Sequence, residues 1–540
     1  METVAVTLSL LLAVVLSEVL ARMSPFAIPR PLIQIAVGAV IGLFSQLVFT
    51  LDPRVFFLLF LPPLLFLDGW RLPPEELFKD RGTVIQLALG LVLFTVLGIG
   101  LFIHWLMPLM PLPVAFALAA VISPTDPIAV SAIVQRAPMA RRMIHILEGE
   151  SLLNDASGLV CFRFAVAAML TGAFSLSGAL LDFAWIAAGG IAVGVALTRV
   201  HSWLKGLVSH HLGEDSGSQI LISLLIPFGC YLLAEELHCS GILAAVSAGL
   251  TMSFVESSGR ALAVTRIRRN TAWDVIQFTA NGVIFVLLGE QLHGITSGAA
   301  ATVRLTGHDH PAWLVAYVLA ITLGLATLRF AWVLVSLRLG ELRGRAPVRH
   351  WRHVGVMSLA GVRGAVTLAG VLSLPLTLPG GAPFPARDMA VLLAMGVIVV
   401  SMMAASIGPP LLLKGLVAPA DPSFEAEEAC ARVAAAHAAI AEIERLEKQR
   451  SDQQPDADIA IAATARVIGT YRACIDSRAG DAEAVELARR SDVIEREMRL
   501  AGIRAERSDI FRELRARKLG SETARKLIRE LDLLEARLLG

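Results

Sequence analysis

The residues able to do ionic chemistry in this chain gather in three short stretches, each set in apolar sequence. They are Ser123-Pro124-Thr125-Asp126-Pro127, Glu148-Gly149-Glu150-Ser151-Leu152-Leu153-Asn154-Asp155 and Gly361-Val362-Arg363-Gly364-Ala365-Val366. Two prolines three residues apart remove backbone donors and break a helix. The freed carbonyls, with the Thr125 hydroxyl and the Asp126 carboxylate, form an oxygen set suited to a hard cation. The plainer reading of the same residues is a proline kink around a hydrogen-bonded Asp126. Ser151 and Asp155 stand four apart, so a helix turns a hydroxyl and a carboxylate to one side. Glu150 lies about 100° away from Ser151 and reads as a structural residue, with Arg363 as its expected partner. Glycines on either side of Arg363 permit a second interrupted helix and close backbone approach.

These groups need a scaffold that can carry charge through an apolar interior. Of 540 residues, 55 % are hydrophobic and 17 % charged, with a formal net charge of +1. Soluble proteins average about 25 % charged residues. The mean hydropathy of +0.67 also argues against a set of soluble domains, and the balanced charge offers no basic field for nucleic acid. The charge is unevenly spread: residues 1–417 hold 48 Asp, Glu, Lys and Arg, and the last 123 residues hold 45. A hydrocarbon core of ~30 Å takes about 20 apolar residues as a helix. The sequence offers 13 such stretches, at 3–22, 29–49, 53–69, 83–107, 111–135, 144–171, 180–200, 217–236, 239–256, 271–292, 311–339, 351–373 and 388–416. Lys and Arg mark cytoplasmic loops. With the N-terminus outside, 20 of them fall on inward loops and 3 (Arg54, Arg304 and Arg387) on outward ones. That bias predicts an outside N-terminus and a cytoplasmic C-terminus. The first stretch has no basic residue before it, and Arg22 follows it, which suits a retained span.

A charge at the bilayer centre costs ~2.5–3.5 kcal/mol even on the lenient scale. Asp126, Glu150, Asp155 and Arg363 must therefore pair or face water. Their spans, the fifth, sixth and twelfth, suggest an inverted repeat in which two discontinuous helices, spans 5 and 12, cross at the site. Asp68, after Leu61-Pro62-Pro63, either lines a cytoplasmic funnel or caps the third span. Glu18, Arg163, Asp274, Glu290 and Arg329 read as structural pairs or near-interface groups. His104, His238 and His293 form no ligand cluster, and five scattered cysteines show no metal or disulfide spacing. Beyond the breaker Ala418-Pro419-Ala420-Asp421-Pro422, the pattern predicts amphipathic helices at about 424–450, 457–478, 480–501, 505–518 and 521–539. We read 418–540 as a cytoplasmic helical domain behind a 1–417 transmembrane domain.

At these residues the chain resembles monovalent cation:proton antiporters of the NhaP-like sodium/proton exchanger group, over about residues 25–416. The motifs are Thr125-Asp126-Pro127, Glu150-Ser151-Leu152-Leu153-Asn154-Asp155 and Val362-Arg363-Gly364-Ala365-Val366. Leu61-Pro62-Pro63-Leu64-Leu65-Phe66 and Ser240-Gly241-Ile242-Leu243-Ala244 support them. The resemblance implies an all-helical fold of 13 spans, a homodimer, and a core domain that moves like an elevator against a dimerisation domain. It implies that Asp155 binds either the cation or a proton, that Thr125, Asp126 and Ser151 complete the ion cage, and that Glu150 and Arg363 pair. It also implies that Asn154 marks the electroneutral branch, where electrogenic relatives carry a second Asp. One departure is visible: the family often has an acid directly after Pro-Pro-x-x-Phe, where this chain has Leu67 and then Asp68, a shift of about 100° on a helix.

One site that holds either ion but not both gives antiport, with alternating access moving it between the faces. The expected cargo is Na+ against H+, exchanged electroneutrally, with K+ against H+ on the same scaffold as the alternative, no cofactor, a lipid bilayer as surroundings, and no partner identified for the tail. A gated cation channel is the reading from a different class, and it would not couple fluxes. An intramembrane enzyme is the third reading; against it, HExxH is absent and Gly149-Glu150-Ser151 lacks the second glycine of a serine elbow.

Overall fold

The computed structural model describes residues 2–24, 28–44, 53–126, 141–172, 176–212, 215–257, 263–297, 310, 312–342, 351–414, 422–451, 457–479 and 482–539. Pro127, the rest of the fifth apolar stretch and the 418–421 breaker lie outside them. The described residues are helical apart from loops, turns and one isolated β-bridge, Thr377 with Pro383. They divide into two compact units, Met1–Pro419 and Ala420–Gly540.

In the first unit the helices follow the apolar stretches. They are α1 (Glu2–Met23), α2 (Arg30–Phe44), α3 (Pro53–Arg71), a short α4 (Pro74–Lys79), α5 (Arg81–Leu106), α6 (Leu112–Ile122), α7 (Arg141–Thr171), α8 (Leu176–Leu212), α9 (Ser216–Glu236), α10 (Gly241–Ser257), α11 (Ala263–Ser297), α12 (Ala312–Leu342), α13 (Trp351–Leu359), α14 (Ala365–Leu372) and α15 (Arg387–Leu413). Among the described residues, eight helices are long and apolar enough to cross a membrane. Large apolar side chains stand exposed along α1, including Val4, Leu8, Leu12, Val15 and Val19. On a helix this hydrophobic all round, such residues find their solvent in lipid.

Two helices end abruptly where the sequence carries its chemistry. The α6 helix stops at Ile122, leaving Ser123 to Asp126 non-helical; the residue before a proline is pushed out of the helical region. The twelfth stretch is split into α13 and α14 by a non-helical run at 360–364. The α6 helix is the centre of the core: Val114, Ala115 and Ala117 to Ile122 are all buried. Its alanines let α7 come close, and a Cβ on Gly158 would meet the Ala120 carbonyl at 2.9 Å. The same device seats α3 on α10. A Cβ on Gly69 would lie 2.7 Å from the Val246 carbonyl, and one on Gly249 would strike the Phe66 carbonyl. Residues Gln86–Leu91 of α5 form a π turn, and Ser157 of α7 donates to the Ala88 carbonyl there at 2.6 Å. A π turn frees carbonyls from the helical ladder and often marks functional sites. At the start of α9, the Ser218 hydroxyl and amide and the Gly217 amide donate to the Asp215 carboxylate, which holds it below the usual carboxylate range.

The second unit holds α16 (Pro422–Ser451), α17 (Ala457–Ala479), α18 (Ala482–Arg515) and α19 (Ser521–Leu539). The sequence pattern predicts separate helices at 480–501 and 505–518. The structure has one continuous α18 instead: between Ala501 and Ala505 only Gly502 weakens the helix, at ~1 kcal/mol, too little to end it without a partner for the freed groups.

Candidate functional site

The broken ends of α6 and of α13–α14 meet, and their backbone groups answer one another. The Asp126 amide donates to the Val362 carbonyl at 2.7 Å. From α14, the Thr367 hydroxyl donates to the Val121 carbonyl at 3.1 Å. Arg363, buried, donates from Nε to the Ile122 carbonyl at 2.8 Å and from Nη1 to the Gly361 carbonyl. A guanidinium at the carbonyl end of a helix meets the negative end of its dipole. Arg363 thus satisfies the carbonyls that both interruptions release. Gly364 stands at the start of α14, and a Cβ there would collide with the Asp126 carboxylate. That carboxylate therefore lies against the positive end of the α14 dipole.

The expected Glu150–Arg363 pair is not the one that forms. Arg329 of α12 grips Glu150 with both terminal nitrogens, at 2.5 and 2.7 Å, and donates from Nε to the Met357 carbonyl at 3.0 Å. The side chains are 4 % and 1 % exposed, so this is a fully desolvated fork-to-fork pair. The reason is geometric. The Arg363 fork is taken by carbonyls at the breaks, and Arg329 presents its own fork from the neighbouring helix. A Cβ on Gly361 would come within 3.0 Å of the Arg329 side chain, so the pair also braces the break.

Asp155, Asp126, Thr125 and Asp68 line one cavity of about 40 Å³, with Pro124, Gly364, Thr367 and apolar side chains of α3 completing its wall. Such a space suits an ion and a few waters and is far too small for an organic substrate. Asp155 and Asp126 are buried. Among the described residues, nothing hydrogen-bonds the Asp155 carboxylate, and no three acidic, His or Cys side chains converge tightly enough for a metal cluster. The carboxylates ring the space instead. Ser151 and Asn154 stand behind the wall: the Ser151 hydroxyl donates to the Thr125 carbonyl, and the Asn154 amide donates to Thr125 Oγ1 at 2.9 Å. Both are buried and orient Thr125 from two sides.

Sequence reasoning missed Arg329 as the partner of Glu150, together with Thr367 and the contact of Gly364 with Asp126. A buried arginine within a span was the visible signal for Arg329; only packing could choose between two arginines. The collision gives a sharp prediction. Gly364→Ala should lower cation-dependent proton flux at least tenfold with little change in expression, as read by proteoliposome assay and size-exclusion profile.

A membrane-embedded helical bundle, with two interrupted helices meeting at buried carboxylates, has the architecture of a secondary ion transporter. The family model for the transmembrane sodium/hydrogen exchanger matches residues 7–414. The chain is 39 % identical over its whole length to the Escherichia coli strain K12 protein named as the uncharacterized Na+/H+ exchanger YjcE, covering 99 % of it. It is 42 % identical to the sodium, potassium, lithium and rubidium/H+ antiporter of Bacillus pumilus, over 76 % of this chain and 61 % of that one. Its fold is similar to that of the sodium proton antiporter MjNhaP1 from Methanocaldococcus jannaschii, with a TM-score of 0.59 at 20 % identity over 77 % of this chain and 99 % of that one. The chain belongs to the sodium/hydrogen exchanger family and is a multi-pass membrane transport protein.

Proposed function

We propose that this chain exchanges Na+ for H+ one for one, the two competing for Asp155. The observation that carries the reading is the cavity wall: a buried carboxylate with no described hydrogen-bond donor faces a space of ion size beside Asp126 and Thr125. A carboxylate there gains its partner from the cargo. Thr125 and Asp126 supply further oxygens to the cation, and Ser151 and Asn154 act by holding Thr125 in place. Asp68 adds a third carboxyl group to the cavity wall. Asn154 carries no titratable proton, which supports electroneutral exchange.

The charge bias of the loops supports 13 spans, with the N-terminus outside and residues 418–540 on the cytoplasmic side of the cell membrane. Spans 5 and 12 are the crossed discontinuous helices of an inverted repeat. The likeness to the family supports a homodimer in which a core domain carries the site across the membrane like an elevator. K+ in place of Na+ is the second reading; the Bacillus pumilus relative is named as an antiporter of sodium, potassium, lithium and rubidium against H+, so both ions are to be tested. The test is the purified protein in liposomes under an imposed Na+ or K+ gradient, with lumenal pH followed and the membrane potential clamped or free. Proton flux with Na+, unchanged by potential, is expected. Flux driven by K+ and not by Na+ selects the second reading. No proton flux with either ion sinks both.

A further inference from the structure

The helix α18 is 34 residues long, about 51 Å at 1.5 Å per residue, whereas α19 has 19 residues and covers only part of it. The face of α18 toward α19 is well defined. Leu500 and Ile503 are buried, and Arg507 bonds Asp532 at 2.8 Å and also Glu535. Among the described residues, the opposite face is exposed. It carries Leu487, Ser491, Ile494, Met498, Ala501, Ala505 and Ser508, spaced alternately four and three apart. That is the a/d rhythm of a coiled coil. Leu487 is 70 % exposed, Ile494 52 % and Met498 70 %. A soluble helix does not ordinarily leave such a stripe to water.

The flanking charges say what covers it. With Ser491, Met498 and Ala505 at a and Leu487, Ile494, Ala501 and Ser508 at d, Arg490, Glu497 and Arg504 fall at g. Glu495, Gly502 and Asp509 fall at e. In a parallel, in-register pair each g residue meets the e residue five positions on in the other helix. Arg490 then meets Glu495, and Arg504 meets Asp509, each twice by symmetry, in exchange for the exposed pairs that Glu495 makes with Arg499 and Asp509 with Arg512 along α18 itself. Glu497 meets Gly502, so no like charges face each other. An antiparallel pair centred on Glu497 sets Arg490 against Arg504 instead. The alanines and Ser508 allow close approach, and Met498 adapts to a symmetric neighbour. We propose that α18 pairs with α18 of a second copy of this chain as a parallel two-stranded coiled coil, giving the tail its own dimer contact.

The test uses the full-length protein in native membrane vesicles, with Cys430 and Cys474 replaced by serine. Leu487→Cys and Met498→Cys are introduced singly, with Arg499→Cys, exposed but off the stripe, as the control. Under mild oxidation both stripe positions should give disulfide-linked dimers at least tenfold faster than the control. Arg490→Glu with Arg504→Glu should slow cross-linking about tenfold, and adding Glu495→Arg with Asp509→Arg should restore it. Cross-linking at 498 without 487 points to an antiparallel pair and overturns the proposal. So do equal rates at all three positions, no cross-link at either stripe position, or failure of the charge swap to rescue.

Discussion

Asp155→Asn should fold normally and lose at least 99 % of cation-dependent proton flux, with Na+ and with K+. The substitution keeps the shape of the side chain and removes its charge and titratable proton. It breaks no recorded hydrogen bond, because none of the described residues donates to the Asp155 carboxylate. The neutral amide places no charge in the interior, so the melting temperature in detergent should stay level or rise. Combined thermal melts and proteoliposome flux separate this from a folding defect. Flux near the parent level would remove Asp155 from the centre of the mechanism.

Arg329→Ala should have the largest effect on folding. Breaking a buried pair from one side leaves a charge with no partner, at a typical cost of about 3–5 kcal/mol. Here Glu150 is 1 % exposed, and the Met357 carbonyl loses its Nε donor as well. Folded yield should collapse, and any surviving protein should melt many degrees lower. Removing both charges tests the cause: Glu150→Gln with Arg329→Met should recover much of the yield. If Arg329→Ala alone expresses and melts like the parent, the pair is not what braces the break. Glu150→Gln alone should also fold poorly. Arg363→Ala should fold poorly by another route, since the Ile122 and Gly361 carbonyls lose their donor; a well-folded, ion-blind Arg363→Ala protein would contradict that.

Much of the site was legible because charge is rare where it costs most. Asp126, Asp155, Glu150 and Arg363 stood out as ionisable groups deep in apolar runs, and Pro124 marked where α6 would stop. The glycines around Arg363 announced the break between α13 and α14. Pairing was not legible. Periodicity tells which face a residue occupies on its own helix, but not which of two arginines on other helices reaches it first. That is why Glu150 went to Arg363 on paper and to Arg329 in the fold. The layers of the site were hidden for the same reason: Ser151 shares a face with Asp155, yet its hydroxyl is spent on the Thr125 carbonyl. Asp68 shows the opposite case. A one-residue shift against the family pattern suggested that it turns away, yet with α3 seated on α10 it stands on the same cavity wall.

Competition between Na+ and H+ at one carboxylate is the central claim, and the pH dependence of the apparent Na+ affinity tests it most directly. Initial exchange rates in proteoliposomes would be measured over a series of Na+ concentrations at several pH values, with the membrane potential clamped. If the two ions exclude each other at Asp155, the half-saturating Na+ concentration should rise about tenfold per pH unit on the acid side, with the saturating rate unchanged. A half-saturating concentration that stays constant while the maximal rate falls with pH would mean that the proton binds elsewhere, and would contradict the account.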